Sequence, residues 1–184
     1  IDMGGTFLKG AIVDNHGNLI TNIYQVIANS SSNLDDYLNS FSKMFNNLDL
    51  EASKKNVDID FIALSVPGPF DYEKGISKMI HKYKAIYDLD LKELFLKKLN
   101  INKKIYFEND VISFLLGESI NLKNIQNKSV CAITLGTGLG YVVMKNNAIL
   151  RNELGSPKEY IYDKTFKDGK MEDYFSDRGL IHFY

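Results

Sequence analysis

A single cysteine, Cys131, is all the thiol chemistry the chain has. One thiol excludes an internal disulfide and any multi-cysteine zinc site, and it fits a reducing cytoplasm, the expected location. Cys131 lies in an apolar run and reads as a buried structural thiol. An excess of charge is equally lacking: 22 basic against 23 acidic residues leave a formal net charge of −1. That balance excludes the electrostatic footprint of a nucleic-acid or anionic-membrane binder. No apolar run reaches the roughly 18 residues of a membrane span, and no signal peptide opens the chain. The three histidines, His16, His81 and His182, are scattered and offer no metal-ligand spacing. No G-x-x-x-x-G-K-[ST] run occurs, so the chain is not a P-loop protein. It begins at Ile1, at what reads as the end of a strand, so its natural N-terminus is expected to lie upstream.

What is present is a globular composition, 45% hydrophobic and 24% charged over 184 residues. That is enough for one ordinary domain or two small ones, with a sizeable core. The most informative stretch is Tyr106-Phe107-Glu108-Asn109-Asp110. Ile105, Tyr106 and Phe107 read as a strand; Val111, Ile112, Phe114, Leu115 and Leu116 read as one face of a helix ending near Glu118. Asn109 and Asp110 therefore stand at a strand-to-helix junction, where an open α/β sheet places its ligand crevice. Asp110 has two readings there. It can cap the helix through its side-chain oxygen, or it can accept a proton from an alcohol that Asn109 holds in place.

The rest of the chain frames that junction. Asp2-Met3-Gly4-Gly5-Thr6 leads into a strand, Phe7 to Val13, and after the turn Asp14–Asn18 a return strand runs from Leu19 to Ile27. Glycines let backbone N–H groups approach a phosphate, a Thr hydroxyl adds a donor, and an Asp at the strand end can hold magnesium directly or through water. An ordinary Gly-Gly turn is the plainer alternative. Leu34, Tyr37, Leu38, Phe41, Met44, Phe45 and Leu48 follow at helical spacing and read as core packing. Glu51 to Asp58 reads as a charged connection, and Ile59 to Val66 as a buried strand ending at the stiff loop Pro67-Gly68-Pro69. Asp71 to Asp88 reads as an irregular surface loop rich in Lys and Tyr, Leu89 to Leu99 as an amphipathic helix, and Asn121 to Asn127 as a linker. Val130 to Leu135, Gly136-Thr137-Gly138-Leu139-Gly140, Tyr141 to Met144, a turn at Lys145–Asn147 and Ala148 to Leu150 then repeat the opening plan of strand, glycine-threonine loop, strand, turn, strand. Two copies of one unit suggest two similar halves whose glycine loops clamp a polyphosphate from both sides. Glu153 and Glu172, each near a glycine, are solvated carboxylates or site acids.

In this order, Asp2-x-Gly-Gly-Thr6, Val66-Pro-Gly-Pro69, Glu108-Asn-Asp110, Leu135-Gly-Thr-Gly-x-Gly140 and Glu153-x-Gly155, the motifs resemble the ROK family. The resemblance spans essentially the whole chain. It implies an α/β, ribonuclease H-like (actin-like ATPase) fold of two similar α/β domains with a cleft between them. The first would be 1–120 and the second 121–184, the latter incomplete, since members continue for about a hundred further residues. It implies an ATP-dependent hexose kinase with ATP and Mg²⁺ as cofactors, a small-molecule sugar as partner, and homodimers as a common assembly. Asp110 would be the catalytic base. Gly68, Asn109, Asp110, Glu153, Ser156 and Glu172 would face the sugar. Gly4, Gly5, Thr6, Lys9, Gly136, Thr137, Gly138 and Gly140 would face the nucleotide, and Asp2 the magnesium. Ser156 stands where members usually carry a zinc-binding His, Lys170 where a cysteine would be, and no zinc site is expected. The competing expectations are a sugar-binding module of the same family that transfers little or nothing, and the family's transcriptional regulators. The latter carry an N-terminal helix-turn-helix, and here Asp2 opens the chain.

Overall fold

The computed structural model describes residues 1–122, 125 and 128–183. The chain divides into two compact units, Ile1–Glu108 and Asn109–Tyr184. The division falls just before the helix that begins at Asp110, whereas the expected boundary at 120 lies within the last turn of that helix.

In the first unit, β1 (Asp2–Met3), β2 (Phe7–Gly10), β3 (Tyr24–Ile27), β4 (Phe61–Val66) and β7 (Lys104–Asn109) form one sheet in the order β3-β2-β1-β4-β7. β1 to β3 are an antiparallel meander, and β1 runs parallel to β4. The parallel step is made by α1 (Leu34–Lys55). Its start is fixed by Asn33, whose side chain accepts from the Asp36 N–H at 2.9 Å. Its end is fixed by Asn56 in the left-handed conformation, φ 52°. The helix thus runs through the residues expected as a charged connection. Ala52 is buried one turn beyond Leu48, Lys54 bonds Glu51 at 2.8 Å, and Lys54 and Lys55 sit at the negative end of the helix dipole. The aromatic stripe of α1 is buried, as its spacing predicts. Tyr37, Phe41, Met44, Phe45 and Leu48 pack on Met3, Leu8, Ile62, Leu64 and Phe95 in one core. The Phe41 and Phe95 ring centroids are 4.8 Å apart. Gly10 lets the helix approach, because a Cβ there would stand 2.7 Å from Met44 Sδ.

The first hairpin is shorter than expected. Its ladder ends at Gly10↔Tyr24, and beyond it the two segments meet at an isolated bridge, Val13↔Leu19, and a bond from the Ile12 N–H to Thr21 Oγ1 at 3.0 Å. The segment read as an irregular surface loop is also more ordered. β5 (Phe70–Asp71) and β6 (Ile76–Ser77) form a small hairpin, one 3₁₀ turn covers Lys84–Ile86, and α2 (Leu91–Leu99) follows, capped by Asp90. Tyr83, expected at the surface, is buried.

The second unit opens with α3 (Asp110–Asn121). β8 (Ser129–Leu135), β9 (Leu139–Lys145) and β10 (Ala148–Ile149) repeat the antiparallel meander of β1 to β3, in the order β10-β9-β8. Asn146 and Asn147, both with positive φ (50° and 63°), make the β9–β10 turn. Val111, Ile112 and Leu115 of α3 pack on Ala132, Val142 and Met144. Cys131 is exposed rather than buried. Alternation along β8 buries Ala132 under α3 and turns Cys131 to the other face. β11 (Thr165–Phe166), β12 (Gly169–Lys170), α4 (Met171–Phe175) and α5 (Asp177–Phe183) complete the described chain. Part of the expected linker Asn121–Asn127 lies outside the described residues.

Candidate active site

The sequence-predicted residues fall into four local clusters. The first is the loop between β1 and β2. Asp2 is exposed as the first residue of β1, and its Oδ1 accepts from Ser65 Oγ at 3.0 Å. Lys9 is its direct cross-strand partner in the ladder. Gly4 is required by the turn itself, since a Cβ would stand 2.7 Å from the Phe7 carbonyl oxygen. Gly5 has no atom within 4 Å of a Cβ position, so nothing inside the protein demands a glycine there. The space beside Gly5 is open to a ligand. The Thr6 carbonyl accepts from the Ala28 N–H at 2.9 Å.

The second cluster is the loop after β4. Gly68 is half-buried between Pro67 and Pro69. The loop is held at both ends: Tyr72 Oη donates to the Val66 carbonyl at 2.9 Å, and the Lys78 N–H donates to the Pro69 carbonyl at 3.0 Å.

The third is the β7–α3 junction. Asn109 is buried, and its Oδ1 accepts from the N–H groups of Val111 and Ile112 at 3.2 and 3.3 Å. Asn109, not Asp110, is therefore the residue at the cap position, a point the sequence left open. Asp110 is the first residue of α3 and is exposed, with Oδ1 accepting from the Val111 N–H at 2.9 Å.

The fourth lies in the second unit. Gly140 is paired with Thr134 across β8 and β9, and a Cβ on it would stand 2.2 Å from Thr134 Oγ1. The packing of the strands and α3 alone demands that glycine. Gly136, like Gly5, borders open space. Its carbonyl accepts from the Asp177 N–H at 2.8 Å, which anchors the loop to α5. Glu172 sits on this loop: Oε2 accepts from the Leu139 N–H at 3.0 Å and stands 3.0 Å from a Cβ position on Gly138. A carboxylate grouped with the sugar set is thus held against the loop grouped with the nucleotide set. Thr137 is exposed at the tip.

Glu153 and Ser156 belong to a turn built by Asn152. Its Oδ1 accepts from the N–H groups of Leu154 and Ser156 at 3.0 and 3.1 Å, and its N–H donates to the Ser156 carbonyl at 2.8 Å. Arg151 adds a bond to the Gly155 carbonyl at 2.8 Å. Ser156 is buried by this turn and Glu153 is exposed. Sequence reasoning missed Asn152, although Asn-x-x-Gly is a recognisable turn signal. It also missed Ser65, and nothing in the sequence marks Tyr83 or Ser30, which bond the first glycine loop. Among the described residues no group of three or more His, Cys, Asp or Glu could hold a metal, and no helix is long and apolar enough to cross a membrane.

Two meanders that each turn through a glycine-threonine loop, one in each unit, give the chain an actin-like ATPase fold. The model of the ROK family matches residues 1–159, and the chain belongs to that family. It is 24% identical over 157 residues to a glucokinase of Thermotoga maritima, covering 84% of this chain and 46% of that protein. The chain spans about half the length of the curated relatives it matches. Its fold is similar to a ROK family glucokinase of Streptomyces griseus solved in complex with glucose and AMPPNP, with TM-score 0.77 and 20% identity over 99% of this chain and 58% of that one. It is equally similar in fold to a ROK family transcriptional regulator, homologous to the Escherichia coli MLC protein, with TM-score 0.79 and 15% identity over 99% of this chain and 47% of that one.

Proposed function

We propose that the protein is an ATP-dependent hexose kinase that transfers the γ-phosphoryl group to a sugar hydroxyl, in the cytoplasm. The observation that supports this most directly is the division of labour at the β7–α3 junction. Asn109 takes the cap position, and a carboxylate, Asp110, stands exposed beside it. An exposed carboxylate fixed at a helix start beside a buried Asn suits the role of a general base. Asp110 accepts the hydroxyl proton as the sugar oxygen attacks phosphorus, and Asn109 fixes the backbone that carries it. ATP would supply the phosphoryl group, leaving as ADP, and Asp2 would hold a Mg²⁺, directly or through water, that would neutralise the phosphate charge.

Phosphoryl transfer asks the protein mainly for positioning and charge stabilisation. The open space beside Gly5 and Gly136 suits phosphate oxygens approaching the backbone. Glu153, Ser156 and Gly68 are the proposed sugar contacts. Glu172 would hold the second glycine loop as well as reach the sugar.

Glucose, N-acetylmannosamine, a β-glucoside and fructose are the acceptors to test. A coupled ADP-release assay with Mg-ATP against each is the experiment. Sugar-dependent turnover with one acceptor supports the reading and names the substrate class. ADP release that no sugar stimulates refutes it.

A further inference from the structure

We infer that Tyr83 and Ser30 are positioning residues that aim the N–H groups of the first glycine loop at a bound phosphate, an inference that rests on the phosphate reading of that loop. Three consecutive carbonyls of the loop are held by named donors. Tyr83 Oη donates to the Gly4 oxygen at 2.5 Å, Ser30 Oγ to the Gly5 oxygen at 2.5 Å, and the Ala28 N–H to the Thr6 oxygen at 2.9 Å. The peptides here are trans. In a trans peptide the N–H points opposite to the carbonyl of the same plane. Fixing the Gly4 oxygen therefore fixes the Gly5 N–H, and fixing the Gly5 oxygen fixes the Thr6 N–H. Both N–H groups face away from the clamping hydroxyls. Among the described residues, neither donates a hydrogen bond. Gly5 also carries the open Cβ space on this loop. Two adjacent, pre-aimed N–H donors beside open space make an anion cradle.

The clamp is itself braced. Tyr83 is buried, and its own N–H donates to the Ser30 carbonyl at 2.7 Å, so the two clamping residues are tied to each other. Its ring meets Tyr37 edge-on at 5.7 Å, and Tyr37 Oη donates to Met3 Sδ at 3.9 Å, beneath the loop. The backbone of Tyr83 is held at φ 53°, a conformation that bulky side chains rarely adopt. Such outliers persist where the surrounding structure over-determines them. Burial first, then the negative charge of Asp2, push the Tyr83 hydroxyl well above the usual tyrosine range, so it stays a donor at any working pH.

The test is calorimetric titration of the intact protein with Mg-AMPPNP, comparing wild type with Tyr83→Phe, Ser30→Ala, Ser30→Thr and the double variant Tyr83→Phe/Ser30→Ala, each with its melting temperature. Binding by the wild type, weakened at least fivefold by each single deletion and further by the double, with Ser30→Thr restoring affinity, supports the clamp. Wild-type binding with both deletions within twofold of it overturns the clamp and leaves the phosphate reading standing. Weakening that follows only loss of melting temperature, with no rescue by Ser30→Thr, overturns it too. No binding by the wild type overturns the phosphate reading and the clamp with it. Where Tyr83→Phe does not fold, the half-buried Ser30 decides.

Discussion

Gly140→Ala separates a packing demand from a ligand demand in a loop whose glycines look alike in sequence. A Cβ on Gly140 would lie 2.2 Å from Thr134 Oγ1 and 3.2 Å from Val111 Cβ, well inside the 3.4 Å at which ordinary contact begins. Both neighbours are β-branched and stiff at χ1. Thr134 is the direct cross-strand partner of Gly140, so relief requires its stiff side chain to leave its rotamer. Overpacking of this kind costs about 1–3 kcal/mol. For a unit of this size that lowers the melting temperature by roughly 4–8 °C per kcal/mol. Thr134→Ala removes the nearest atom, so Gly140→Ala/Thr134→Ala should recover most of the loss, with a coupling of at least about 0.5 kcal/mol in the double-mutant cycle. Thermal or urea unfolding of the four proteins, without ligand, is the assay. A Gly140→Ala protein that melts within a degree of wild type, or a double variant no better than the single, refutes the reasoning. Gly136→Ala, which meets open space, should leave stability near wild type in the same measurement.

Two further outcomes follow from the first unit. Phe41→Ala removes a fully buried ring that touches Tyr37, Phe45 and Phe95, and should cost about 3–5 kcal/mol in urea unfolding. Asn56 ends α1 at φ 52°, so Asn56→Gly should be neutral or slightly stabilising, while Asn56→Val should cost about 1–2 kcal/mol in the same unfolding experiment.

The parts of the fold that were legible in sequence are those where one local pattern meets one environment. The stripe Tyr37, Phe41, Met44, Phe45, Leu48 has a single buried side, and its period alone identifies α1. The two meanders announce themselves because Gly-Gly-Thr and Gly-Thr-Gly each stand between two short apolar segments. The Asn109–Asp110 junction is legible for the same reason, although which residue takes the cap depends on where β7 ends.

What was not legible depends on contacts distant in sequence. The last turn of α1 is charged, and only burial of Ala52 and the left-handed Asn56 show that the helix continues. Tyr83 reads as surface because its neighbours are lysines, yet its partners Gly4 and Tyr37 are far away in the chain. Cys131 reads as buried from its apolar neighbours, but only one face of β8 is covered by α3. The placement of Glu172 on the Leu139 N–H depends on how α4 returns to the second loop.

The measurement that bears most directly on the proposed activity is sugar-dependent ADP release by Asp110→Asn against wild type, with the melting temperature of each. A general base contributes typically about 10²–10⁴-fold. The account therefore predicts a loss of kcat of at least roughly that size, with Mg-ATP affinity and melting temperature little changed. Turnover in Asp110→Asn equal to wild type would contradict it.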